Sequence, residues 1–451
     1  MTRENEKYLK TITISQEEVN KTLYYISERL KNIPNIGINY MEYLSALIYV
    51  LFEKEQNKLK TMLNTETRDI DMLLHEINKD LKEIKYEENS KTLFMNIKFI
   101  EFVDSELNIN LKNVIFDLIK LILELDKCEN NGKDMLAKAY EYILTKSAKE
   151  DDFSSRGGVF YTPSNLIKSM VEFLDIKDGM GVYNPACGTG NFLVESARHA
   201  KIYAFGEEKN ISNYNICITN LWLHNVNNKR IKENEDENMP QVDIAIANPP
   251  FKAYTNEKIM PYNNEIRNNN IYLKYLFMML EKLHHNGKMA ILLPQGFLFK
   301  KAKSDYNARK ELINKNYIEA IINLPEKMFY DTKISVILLI INKNKKTKVV
   351  QFIDASKEYE SGRKSNVLTE ENQNKILQAY REPQKIPNFS YLAEIKEIEE
   401  NDYDLNIKKY IQIHNENQYI DTRETQQKIE ELERKRREIE YKISELLSEE
   451  N

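Results

Sequence analysis

The 451-residue chain is predicted to be an α/β protein, with a mainly parallel sheet covered on both faces, an all-helical region before it and a coiled-coil helix after it. Three observations predict this. Short apolar runs alternate with stretches of helical periodicity from about residue 160 to residue 353. Two turn-forming segments, Asn184-Pro185-Ala186-Cys187-Gly188-Thr189-Gly190-Asn191-Phe192 and Asn248-Pro249-Pro250-Phe251, each directly follow such an apolar run. Before residue 150 the pattern is helical, with almost no strand alternation.

In chain order, residues 1–150 are expected to form the helical domain. Asn39 to Glu53 is its clearest helix, apolar on most faces, and the Lys- and Glu-rich stretch Glu66 to Ser90 predicts a more exposed one. Lys146 to Gly158, with paired acids, serines and glycines, reads as a polar linker. Thr162-Pro163 predicts a helix start, Thr as cap and Pro as the first helical residue. Within 151–355, strands are expected at Gly181–Tyr183, Ile202–Phe205, Val242–Ala247, Lys288–Leu293, Ile318–Ile322, Ile334–Ile341 and Val349–Ile353. Intervening helices are expected at Phe192–Ala200, Ile211–Asn225, Ile271–His285 and Ser304–Asn314. The Asn-rich segment Tyr254 to Asn270 has little periodicity, compatible with a mobile loop beside the site or with an insertion. Residues 356–420 form an extension, and 421–451 a docking helix. In that tail Ile429, Leu432, Ile439, Ile443 and Leu446 keep three-four spacing, with Arg436 at the interrupted place. A lone helix of this length is marginal in water, so it needs a surface: the protein's own body, a second copy or another subunit.

The chemistry begins with Asn248 to Phe251. The strand Val242 to Ala247 stops at two prolines, so an amide and an aromatic ring stand at its carboxyl end. The Asn248 carboxamide oxygen and a carbonyl freed from the ladder are two acceptors that suit an exocyclic amino group. Phe251 adds a flat stacking surface, and the prolines stiffen the loop. The second segment is a strand-turn-helix in which Gly188 and Gly190 let backbone approach a ligand closely. The dinucleotide spacing fails at Phe192 and Leu193, and no phosphate-loop Lys-Ser/Thr pair follows, which favours a ligand without a pyrophosphate.

Composition excludes several classes. The longest apolar run, Ile334 to Ile341, is far short of the roughly 20 residues that span a bilayer, and no signal peptide is visible, so a cytoplasmic protein with no membrane role is expected. Cys128, Cys187 and Cys217 form no metal-ligand spacing and read as reduced thiols; no metal site is expected. A net charge of −5 argues against a chain that grips nucleic acid by itself, because phosphate neutralisation supplies most non-specific affinity. The basic stretches Lys300 to Lys303 and Lys343 to Lys348 are equally compatible with phosphate contacts and with solvated loops.

At these residues the chain resembles the amino-group DNA methyltransferases that use S-adenosylmethionine, and among them the modification subunits of type I restriction-modification systems. Gly158-Val159-Phe160-Tyr161-Thr162-Pro163 is similar to the cofactor motif that opens the catalytic domain. Asn184 to Phe192 resembles the methionine-binding loop, and Phe205 to Glu208 with Asn215 and Asn220 to His224 resembles the second cofactor motif and its helix. Asn248 to Phe251 resembles the catalytic motif, and Leu292 to Gly296 and Leu324 to Val336 resemble later sheet and hairpin motifs. The match is strong over roughly 155–342 and weaker at Thr22 to Glu53.

The resemblance implies a methyltransferase Rossmann-like sheet and direct transfer of a methyl group to N6 of an adenine flipped out of double-stranded DNA. It implies catalytic roles for Asn248, Pro249, Pro250 and Phe251. It implies cofactor roles for Phe160, Tyr161, Thr162, Pro163, Asn184, Pro185, Ala186, Gly188, Thr189, Gly190, Asn191, Phe192 and Glu208, the last on the ribose hydroxyls. The loop's first position is usually acidic and here is Asn184, so a carboxylate contact to the cofactor's ammonium becomes an amide contact. The acid that reads the cofactor's adenine amine is left open among Glu233, Glu235 and Asp236. The implied partners are a specificity subunit docked on the C-terminal helix, a second modification subunit and, as a further partner, a restriction subunit. Three rivals stand beside this reading: a protein glutamine-amide methyltransferase, which usually has Tyr after the prolines; an RNA base methyltransferase; and a catalytically idle scaffold of a defence complex.

Overall fold

The structure is a computed structural model and describes residues 14–34, 36–53, 75, 77, 79–81, 94, 97, 108–128, 131–149, 162–251, 270–329, 335–362, 365–411 and 434–436. The expected helix at Glu66 to Ser90, the Tyr254 to Asn270 segment and the C-terminal stripe fall largely outside these residues, as do Phe160 and Tyr161.

The helical region before residue 150 contains α1 (Gln16–Lys31), α2 (Tyr40–Glu53), α3 (Asn108–Asp126) and α4 (Gly132–Lys149). α1 starts at a reciprocal cap: the Ser15 hydroxyl accepts from the Glu18 N–H at 3.3 Å, and the Glu18 carboxylate accepts from the Ser15 N–H at 2.8 Å. α4 continues through Lys149, so the first four residues of the expected linker are helical. Burial explains it, because Ser147 and Ala148 lie inside and the Ser147 hydroxyl pairs with that of Tyr40.

The remaining elements build an α/β domain in chain order: α5 (Ser164–Glu172), β1 (Gly181–Asn184), α6 (Asn191–His199), β2 (Tyr203–Glu207), α7 (Ile211–Leu223), β3 (Lys229–Lys232), β4 (Val242–Ala247), α8 (Ile271–Lys282), β5 (Leu283–Pro294), α9 (Lys303–Asn314), β6 (Ile318–Asn323), β7 (Val336–Asn342), β8 (Val349–Asp354), α10 (Glu370–Arg381), β9 (Ser390–Glu394), α11 (Ile395–Glu400) and α12 (Ile407–Ile411). The nine strands form one sheet in the order β3-β2-β1-β4-β5-β7-β6-β8-β9. β7 runs antiparallel between β5 and β6, and β9 antiparallel beside β8; every other pairing is parallel. The sheet therefore extends beyond residue 355 into β9.

Two apolar layers cover the sheet, and alternation along the strands decides which residue joins which. Ile244, Ile246, Leu292 and Leu338 face the layer continuous with the helical region, whereas Ala245, Ala247, Ile291 and Leu339 face the layer under α8 and α9. The helical region docks on α7: the Trp222 ring lies 5.0 Å from Tyr49 and 5.8 Å from Phe52, with the Lys133 ammonium 4.2 Å from its centre.

Three expectations change. The helix expected to run to His285 ends at Lys282, and β5 begins at Leu283, because Leu283 pairs with Val242 of β4. A Cβ at Gly287 would stand 3.0 Å from the Asp243 carbonyl oxygen, so glycine permits this close strand approach. β3 carries Lys229, Arg230 and Lys232 around one buried apolar residue, Ile231, and its charge hides it from an alternation test. α5 starts one residue later than expected: Pro163 is the cap residue and no side chain caps the helix.

Candidate methyl-transfer site

The strand order reverses between β1 and β4, and the carboxyl ends of these two parallel neighbours, roughly 5 Å apart, define the crevice where open α/β sheets bind ligands. Asn184 ends β1 and Asn248 follows β4, so the topology brings together the two segments singled out in the sequence.

The turn after β1 is fastened from three sides. Asn184 is fully buried, and its Oδ1 accepts from the Ala186 N–H at 3.0 Å. The Cys187 N–H donates to the Glu207 carbonyl at 3.0 Å. Asn220 on α7 donates from Nδ2 to the Thr189 carbonyl at 2.8 Å and to Asn191 Oδ1 at 3.0 Å. The sequence signal for Asn220 is the run of buried polar side chains, Asn213, Asn215, Thr219 and Asn220, within the α7 apolar pattern.

The two glycines serve different ends. Gly190, the left-handed cap of α6 with φ 85°, touches α7, where a Cβ would stand 2.8 Å from Cys217 Sγ. Gly188, at φ 56°, has no described atom within 4 Å of where its Cβ would be. Its left-handed turn thus presents bare backbone to open space. Cys187 and Cys217 are both buried free thiols, with their sulfurs 3.8 Å apart.

Glu208 holds the same turn from the end of β2. One carboxylate oxygen accepts from the Gly188 N–H at 2.9 Å and the other from the Asn210 N–H at 2.8 Å. Burial raises this carboxyl above the ordinary range, while the N–H donors oppose that rise. The Asn213 side chain and the Lys209 N–H also donate to this carboxylate, so ribose hydroxyls would have to share or displace donors to reach it. Beside it, a cavity of about 520 Å³ opens between the start of α7 and the loop after β3, lined in part by Ile211, Ile231, Glu233 and Glu235. Of the three acids left open there, Asp236 pairs with Arg230 at 2.5 Å, and Glu235 pairs with Lys274 and, at 3.2 Å, with Lys209.

Asn184 Oδ1 accepts from Ala186 and keeps a second lone pair, the acceptor an ammonium needs, while Nδ2 is a buried donor with no partner among the described residues. A donor matches a carboxylate rather than an ammonium.

Asn248 is oriented from a distant part of the chain. Its Nδ2 donates to the Thr162 hydroxyl at 2.9 Å, and its Oδ1 is buried with no hydrogen-bond partner among the described residues. Pro249 is buried and Pro250 half-buried, and the Phe251 ring is 9% exposed, packed in the apolar layer shared with the helical region. Thr162 and Pro163 are placed at this end of the sheet by α5; no described contact ties Thr162 to the Asn184 turn.

The two basic stretches separate. Lys300 to Lys303 follows the carboxyl end of β5, on the Asn248 edge, with the Lys300 ammonium 5.9 Å from the Tyr272 ring centre. Lys343 to Lys348 lies at the opposite edge, where Lys343 and Lys345 donate to the Leu283 and Ile318 carbonyls at 2.7 and 2.5 Å. On the Asn248 edge a second cavity, of about 640 Å³, lies beyond β5, lined in part by Gln295, Asn323, Lys357, Asn388 and Lys408. Among the described residues no cluster of His, Cys, Asp and Glu could hold a metal ion, and no helix is long and apolar enough to cross a membrane.

Comparison with known proteins agrees with this geometry. The N-6 DNA Methylase family model matches residues 131–419. The chain is 32% identical over 360 residues to the MjaVII type I restriction enzyme methylase subunit of Methanocaldococcus jannaschii, an alignment that takes in 72% of this chain and 61% of that protein. It is 27% identical to the MpnII methylase subunit of Mycoplasma pneumoniae, over 87% of this chain and 78% of the other. In fold it is similar to the methyltransferase subunit of a type I restriction-modification system from Streptococcus thermophilus, with a TM-score of 0.68 and 24% identity over 88% of this chain and 100% of that one. The chain thus spans about three-fifths of the Methanocaldococcus relative. With the model covering well over half of its length, the chain belongs to the N-6 DNA methylase family.

Proposed function

We propose that the chain is the modification subunit of a type I restriction-modification assembly and transfers a methyl group from S-adenosylmethionine to adenine N6 in double-stranded DNA. The observation that carries this reading is the buried, unpartnered Asn248 Oδ1 at the carboxyl end of β4, with Nδ2 turned away into Thr162. A lone acceptor there suits an amine. An alcohol or thiol would need a base to take its proton, and no described hydrogen bond links Asn248 to a titratable group.

The residues present fit the cofactor. The bare face of Gly188, the two-oxygen anchor of Glu208 and the adjoining cavity suit a nucleoside without a pyrophosphate. The Asn184 donor suits an amino-acid carboxylate. When bound, S-adenosylmethionine supplies an electrophilic methyl on a sulfonium, and the C–S electron pair returns to sulfur.

The flipped adenine presents its amine to Asn248 Oδ1 and the carbonyl of Pro249, and its face to Phe251. The two acceptors hold both amine hydrogens, direct the nitrogen lone pair at the methyl and stabilise the positive charge that grows on N6 as the C–N bond forms. The surplus proton then leaves N6 for water. Phe251 must turn part of its ring outward to stack, a motion that belongs to base entry. The duplex runs along the Asn248 edge, past Lys300 to Lys303 and the cavity lined by Lys357 and Lys408. A specificity subunit docks on the C-terminal helix, and a second modification subunit completes the assembly.

The test is methyl transfer from labelled S-adenosylmethionine to unmethylated foreign DNA, with the chain alone and with its candidate specificity subunit. Label on adenine N6 only with the partner is the expected result. An assembled complex on DNA that transfers nothing overturns the reading and favours the idle scaffold. Asn248→Ala abolishes transfer and leaves cofactor binding nearly unchanged.

A further inference from the structure

We infer that Thr162 is a positioning residue that fixes which end of the Asn248 amide meets the substrate amine, a role distinct from the cofactor contact its motif implies. This rests on the amine-acceptor reading of Asn248. The terminal torsion of an asparagine is broad and two-fold, so an unrestrained amide presents oxygen or nitrogen with little preference. With nitrogen outward, two donors would oppose the two hydrogens of the incoming amine and transfer would stop.

One contact removes that ambiguity. Thr162 Oγ1 accepts from Asn248 Nδ2 at 2.9 Å, and Oδ1 is thereby the atom left without a described partner. Thr162 is 6% exposed, so water does not readily replace it. Its own backbone is stiff: a residue before proline is held extended, and the Pro163 carbonyl accepts from the Leu166 and Ile167 N–H groups, both at 3.0 Å, in the first turn of α5. Leu166, Ile167, Met170 and Val171 anchor that helix in the apolar layer. A buried hydroxyl on a rigid arm 86 residues away is thus the acceptor that turns the catalytic amide.

No other described contact explains why this hydroxyl faces Asn248. A threonine before proline would ordinarily cap the following helix, yet α5 has no side-chain cap, and the hydroxyl is directed to the amide instead.

The test uses the full chain with its DNA-recognition partner and three variants. Thr162→Val, nearly isosteric, lowers kcat at saturating cofactor by about 10- to 100-fold, the scale expected of a misplaced catalytic group. Cofactor affinity by calorimetry stays at its wild-type value, while the melting temperature falls modestly because the buried Asn248 Nδ2 loses its acceptor. Thr162→Ser keeps the hydroxyl and restores transfer to within a few-fold. Wild-type kcat in Thr162→Val overturns the inference, and so does weakened cofactor binding with kcat retained, which marks a cofactor contact. Asn248→Ala separates the two levels: if it still transfers methyl groups, the amine-acceptor reading itself has failed.

Discussion

Glu207, the last residue of β2, should make the stability of this end of the sheet depend on pH. Its side chain is 2% exposed; one oxygen accepts from the Asp236 N–H at 3.2 Å and ties the loop after β3 to the strand. Burial pushes the carboxyl from 4.5 up to about 7, the Glu235 charge adds to the rise, and the hydrogen bond from the Asp236 N–H opposes it. The folded protein binds this proton more tightly than the unfolded chain. The stability it contributes is therefore fully present below pH 4.5 and lost as pH rises through about 7. The difference amounts to roughly 3 kcal/mol. For an unfolding unit of this size that is about 3 to 6 °C in Tm, the larger figure applying if the sheet domain unfolds by itself.

Glu207→Gln keeps the acceptor for Asp236 and has no charge to bury. Melting curves of cofactor-free protein from pH 5 to 8 at fixed ionic strength should show the wild type falling by that margin relative to the variant. Parallel curves would refute the assignment of the titration to Glu207.

Gly190→Ala forces a left-handed alanine against Cys217 Sγ, at a cost of about 1–3 kcal/mol; cofactor binding should weaken more than tenfold by calorimetry, and adding Cys217→Ala should recover only part of it, since φ stays positive. Asn184→Asp removes a buried unpartnered donor and places a charge there: the free protein should melt earlier and cofactor should bind more weakly, as a donor facing the cofactor's carboxylate requires, whereas tighter binding would put the ammonium there instead. Glu42→Ala leaves the Asn215 Nδ2 without the carboxylate that accepts from it at 2.5 Å; a loss of about 1–3 kcal/mol and faster hydrogen exchange in α2 and α7 should follow, with unchanged exchange counting against a coupling of the helical region to α7.

What could be read from the sequence was local. β4 spans Val242–Ala247 as expected, because an apolar run ending in two prolines declares its own boundary. β1, α6 and α7 were legible within one or two residues, since glycine turns and apolar periodicity lie in adjacent positions. The edge strands β3 and β9 were not: β3 is charged and carries no alternation to detect, and β9 buries Ser390 and Ala393, which do not alternate either. The early start of β5 was hidden too: Leu283 to His285 continues a helical pattern, and Leu283 is captured by pairing with Val242 of β4.

By itself, then, the sequence determined the segments that carry chemistry and their order along the strands, because strand ends, glycine turns and prolines are set by neighbouring residues. Tertiary structure alone decided how those segments are oriented. Thr162 turns the Asn248 amide across 86 residues, Glu42 holds Asn215 across 173, and Ala186 engages the Asn184 oxygen while Nδ2 is left without a partner among the described residues. Such choices rest on which buried polar atom finds a partner, and in the first two cases that partner is brought close only by folding.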